Sequence, residues 1–120
     1  MIDLKQYMDF MDKVGARYGV HPDDIIVVVD PDYQEPPKTA DGKLIFPQII
    51  DPEKYPPWIR NDHINEVLFS SAERFIEYLM LHEIYHLKTH FRNVNELTWE
   101  ERGRNDFEAD QWALEEMELL

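Results

Sequence analysis

Residues 79–91 read LMLHEIYHLKTHF, and their reading decides the fold. His82 and His86 are four positions apart, with Glu83 directly after the first histidine. With 3.6 residues per turn, a helix places both imidazoles on one face, one turn apart. Two ring nitrogens can then meet one ion at about 2.0–2.1 Å each. Such an ion lowers the pKa of a coordinated water toward about 7, and the neighbouring glutamate is placed to take its proton. In a chain of this composition, the pattern arises by chance roughly 0.02 times. The alternative is an amphipathic helix bearing two incidental histidines.

Working outward, Phe75, Ile76, Leu79, Met80, Ile84, Leu87 and Phe91 give this segment a wide apolar face. Ser70 and Glu73 fit a capping box, so the spacing predicts a helix over about 71–91. RNVNE breaks it, and Thr98 with Glu101 opens a last helix that runs to near the end of the chain. Upstream, Leu4, Tyr7, Met8, Met11 and Val14 recur at helical spacing and predict a helix over 3–18, stopped by Gly19 and HPDD. IIVVV at 25–29 reads as a buried strand. YQEPPKTADG reads as a loop, and KLIFPQII at 43–50 as a second strand with Pro47 marking an edge or a bulge. DPEKYPPWIRND at 51–62 reads as an ordered loop over one rim, and INEVLFS at 64–70 as a third strand. The expected fold is α+β over residues 1–120 as one domain: a small, mostly antiparallel three-stranded sheet on three helices.

The chain has 120 residues, 43% apolar and 12% aromatic, which is enough for a core of its own. It has no cysteine, hence neither disulfides nor thiolate ligands. No apolar run approaches the roughly 18 residues of a membrane span, and MIDLKQYMDF lacks the basic start and apolar stretch of a signal peptide. A cytoplasmic location is expected by default. The net charge of -13 repels phosphate backbones and argues against direct nucleic-acid or anionic-membrane binding. An acidic face serves solubility, or recruits a basic partner.

A catalytic zinc site takes three protein ligands and leaves one position open. Candidates for the third are His90, Asp106, Glu108 and Asp110. His90 lies two turns from His82, about 12 Å of rise, and reads as a surface or outer residue. In the last helix Asp106, Ala109, Asp110, Ala113 and Met117 share one face, with Trp112 beside it. Glu108, Gln111, Glu115 and Glu118 form a polar face that must meet solvent. A carboxylate on the Ala and Met stripe is unfavourable unless paired or on a metal, which favours Asp106 and Asp110 over Glu108.

HEIYH followed by DFEADQWALEEM resembles the gluzincin pattern, His-Glu-x-x-His and then Glu-x-x-x-Asp or Asn. It is most similar to the ImmA/IrrE-type metallopeptidases, over about residues 64–120. The resemblance implies a zincin-like fold, with zinc held by His82, His86 and Asp106, Glu83 as catalytic base, and Asp110 supporting a ligand histidine from behind. It also implies a peptide or protein substrate, such as a transcriptional repressor. Two departures stand out. Asp106 is shorter than the usual Glu, which leaves Glu108 as the alternative third ligand. Tyr85 stands where His-Glu-x-Gly-His has glycine.

The expected function is therefore zinc-dependent peptide-bond hydrolysis. Tyr85, Tyr78, Arg102 and Arg104 are candidate donors to the oxyanion. The strand at 64–70 is a candidate edge for pairing with an extended substrate. The competing reading is a non-catalytic, zinc-containing or acidic protein-binding module on the same fold.

Overall fold

The computed structural model describes residues 3–50, 62–89 and 98–119. Its elements run α1 (Leu4–Arg17), β1 (Ile25–Val28), β2 (Lys38–Ala40), β3 (Lys43–Pro47), α2 (Asp62–Leu68), α3 (Ala72–Thr89) and α4 (Trp99–Glu116), with one 3-10 turn at Pro22–Asp24. The class is α+β, as expected. The rim loop at 51–62 (up to Asp62, where α2 opens) and His90 lie outside the described residues.

The helix ends follow from side-chain chemistry. Asp3 with Gln6 and Thr98 with Glu101 form capping boxes on α1 and α4. For α3 the expected cap shifts by one residue. Ser71 Oγ accepts from the Arg74 amide at 3.2 Å, while Ser70 Oγ donates to the Val67 carbonyl at the end of α2.

The sheet departs from expectation in three ways. Its order is β1-β3-β2, with β1 parallel to β3 and β2 antiparallel to β3, so it is mixed rather than mostly antiparallel. The third strand is β2, within the stretch read as a loop. Asp41 and Gly42 both take positive φ, 53° and 76°, closing a tight hairpin between β2 and β3. Asp-Gly is a strong signal for this turn, because both central residues must be left-handed. Lastly, residues 64–68 are helical. Ile64 and Leu68 are one turn apart and both are buried, which a strand's alternation would not achieve. Pro47 ends the central strand rather than marking an edge. It has no N–H to offer there, and its carbonyl accepts from the buried Tyr7 hydroxyl.

Helix α3 is the centre of the molecule. Ile76, Met80 and Ile84, spaced by four, pack with Tyr7, Met11 and Val14 of α1 and Leu44 and Phe46 of β3. Phe75, Tyr78 and Leu81 pack on Ile64 and Leu68 of α2, on Ala113 and Leu114 of α4 and on Met117 just after it. Burying each of the Val, Leu, Ile, Phe and Met side chains among them contributes about 1.5–3 kcal/mol. With two faces committed to packing, the remaining flank, between β2 and α4, holds His82, Glu83 and His86.

Candidate metal centre

Three donor atoms converge on that flank. Asp106 Oδ1 lies 3.0 Å from His86 Nε2 and 3.4 Å from His82 Nε2. The two Nε2 atoms are 3.0 Å apart. Tetrahedral ligands at about 2.0–2.1 Å from an ion stand about 3.3 Å from one another, so the spacing suits one small divalent cation. The three side chains form a potential metal-ligand group, all donor atoms lying within 4.8 Å of one another. The histidines are mostly buried, and the Asp106 side chain is 55% exposed, so the cluster sits at the surface end of a cleft. Pro37, Lys38, Thr39, Glu83, His86, Arg102, Asn105 and Asp106 line that cleft.

Each histidine is fixed from behind by its other nitrogen. His82 Nδ1 lies 2.7 Å from Asp110 Oδ1, and that carboxylate, 3% exposed, also accepts from Tyr78 Oη at 2.5 Å. His86 Nδ1 lies 2.9 Å from Asn105 Nδ2. The Asn105 Oδ1 is buried with no hydrogen-bond partner. A metal-ligating His86 carries its proton on Nδ1 and needs an acceptor there. Turning the Asn105 carboxamide over would offer Oδ1 to that proton, so the orphaned atom matches the needs of a loaded site. The donor set and its supports fit a divalent cation.

The electrostatics agree. Burial disfavours the His82 imidazolium, but hydrogen bonds to Asp106 and Asp110, with the charge of Glu83, outweigh it and push the pKa up to about 10. Hydrogen bonds from His82 and His86 hold the Asp106 carboxyl well below the usual carboxylate range. Cationic charge is therefore strongly favoured at this point. Glu83 is 8% exposed, and burial pushes its pKa up against the pull of His82 and of a hydrogen bond from Thr39.

The other candidates separate cleanly. Glu108 is exposed and accepts from the Tyr85 hydroxyl at 2.9 Å, outside the three-donor group. Tyr78 spends its hydroxyl on Asp110, and Arg104 is exposed and does not line the cleft. Of the four candidate oxyanion donors, Arg102 alone lines the cleft. Sequence reasoning missed Asn105 and Thr39. Asn105 had a signal, since it stands four residues before Ala109 and eight before Ala113, on the same buried face of the helix. Thr39 had only the Asp-Gly turn, which makes residues 38–40 a strand. Comparison of the chain with protein-family models, with curated proteins and with solved structures finds no match.

Proposed function

We propose that the chain is a zinc-dependent peptidase of gluzincin type, with a zincin-like arrangement of sheet, motif helix and ligand helix. The observation that supports it most is the convergence of His82 Nε2, His86 Nε2 and Asp106 Oδ1 beside the buried Glu83 carboxylate. His82, His86 and Asp106 would hold the ion, and Asp110 and Asn105 would fix the two rings. Zinc supplies Lewis acidity there, acidifying water and polarising a carbonyl oxygen.

The remaining steps fall to the chain's own residues. Glu83 takes the proton of the attacking water and returns it to the leaving amine. Its raised pKa moves it toward the value at which a carboxyl both accepts and releases a proton near neutral pH. Arg102 is the cation placed to meet charge developing on the carbonyl oxygen. The strand for an extended substrate is β2, not residues 64–70. It is an edge of the sheet, and Pro37, Lys38 and Thr39 line the cleft.

The testing experiment compares wild type with Glu83→Gln after zinc loading. The expected result is equal zinc content and loss of cleavage of a quenched-fluorescence peptide library. A Glu83→Gln protein that keeps both zinc and full activity overturns the mechanism.

A further inference from the structure

We propose that Thr39 is a positioning residue for Glu83: from the edge strand its hydroxyl holds one carboxylate oxygen of the base and leaves the other for the reaction. This rests on the reading of Glu83 as the proton-transferring group.

The Thr39 hydroxyl donates to Glu83 Oε2 at 2.6 Å, and the Glu83 main-chain oxygen lies 3.0 Å from the same Oγ1. A hydroxyl has one proton, and both acceptors belong to one residue, so either choice ties β2 to that turn of α3. The shorter contact is the one to the carboxylate, as a charge-assisted bond should be. Thr39 is itself held by the sheet, opposite the fully buried Leu44, and the tight turn at Asp41–Gly42 fixes that register. Glu83 is held by the helix. The bond thus spans 44 residues of sequence and joins two rigid elements.

Among the described residues, Glu83 Oε1 has no such bond. A glutamate on a helix has three side-chain torsions and would otherwise sweep its carboxylate through the cleft. With Oε2 held, the reach of the carboxylate is restricted and Oε1 is the oxygen left to exchange a proton. Thr39 adjoins Lys38 and Pro37 on the cleft wall, so the strand that would receive an extended peptide also aims the base.

The test uses the zinc-loaded full chain as wild type, Thr39→Val, Thr39→Ser and Thr39→Ala. The substrate is the peptide cleaved fastest in a quenched-fluorescence library. Zinc affinity and unfolding midpoint are measured beside kcat and KM. Thr39→Val should keep zinc affinity within about twofold, because the Thr39 hydroxyl bonds to Glu83 and to none of the three donors. Its kcat should fall about 10- to 100-fold with KM nearly unchanged, the size of effect expected when a reacting group is misplaced by an ångström or less. Thr39→Ser, which keeps the hydroxyl, should recover most of the loss. Thr39→Ala stands in should valine fold poorly. A Thr39→Val or Thr39→Ala protein with wild-type kcat overturns the proposal. So does a serine variant as slow as valine, or failure of both valine and alanine to fold, which would make the hydroxyl structural. A zinc-loaded wild type that cleaves no peptide overturns the peptidase reading itself, and the role of Thr39 with it. That failure is visible before any variant is compared.

Discussion

The Nδ1 of His82 lies 2.7 Å from Oδ1 of Asp110, a carboxylate that is almost wholly buried. The contact sets which nitrogen of His82 faces Asp106 and His86, because Nδ1 is engaged by Asp110 and Nε2 is the nitrogen turned to the other two donors. Supports of this kind typically contribute 10- to 100-fold to metal affinity.

Asp110→Ala should therefore lower zinc affinity by about 10- to 100-fold. It also leaves the buried Tyr78 hydroxyl without its acceptor, at a penalty of about 1–3 kcal/mol in stability. Tyr78→Phe should weaken zinc binding far less, since it removes a donor to Asp110 but no contact to the ring. Chelator competition on the three proteins gives the order. Equal affinity in Asp110→Ala and wild type would show that His82 needs no support.

The third donor separates in the same way. Asp106→Ala removes an oxygen 3.0 Å from His86 Nε2, whereas Glu108→Ala removes only the partner of Tyr85. Elemental analysis of protein purified without chelator should find about one zinc per chain in Glu108→Ala and little in Asp106→Ala, as three donors are the usual minimum. The reverse result would move the third ligand to Glu108.

Why could Asp106 and Asp110 be singled out from sequence while Asn105 and Thr39 could not? Asp106 and Asp110 share a stripe with Ala109 and Ala113, and a helix keeps that relation wherever it docks. The long helices were legible for the same reason, since periodicity over four or five turns repeats its own evidence. Helix α2, residues 62–68, spans only about two turns, too few to separate helical from strand spacing. Strand β2 has three residues and no apolar alternation, so only Asp41–Gly42 announced it. Thr39 reaches Glu83, and Asn105 reaches His86, only after sheet and helices have packed. A local pattern can place Asn105 on a helix face, but none names the partner that either residue meets.

Proton linkage follows from His82. Its folded-state pKa, about 10, exceeds the ordinary 6.5, so the metal-free protein has an imidazolium there at neutral pH. The contribution to stability is fully present below 6.5 and is lost as pH rises through about 10. Zinc must displace this proton, so its apparent affinity should rise about tenfold per pH unit above neutrality until His82 is neutral. Calorimetry in buffers of different ionisation enthalpy reads the protons released. Release of none would contradict the charge assigned to His82.

Metal binding should also appear as stability, independently of any substrate. The donors come from α3 and α4, so an ion at their junction would bind the folded chain and not the unfolded one. At a free zinc concentration about 1,000 times Kd the folded state gains about 4 kcal/mol. For a chain of this length the entropy of unfolding converts that to a rise of roughly 16 °C in Tm. His82→Ala should abolish the rise and Glu83→Gln should retain it, because Glu83 is bonded to Thr39 and is not one of the three donors. Leu114→Ala opens the packing between the same helices and should cost about 2–5 kcal/mol in the metal-free protein. Saturating zinc should offset much of that loss while the donors still converge. A thermal melt of the four proteins, with and without zinc, compares them directly. A shift that survives His82→Ala would place the ion somewhere other than between α3 and α4.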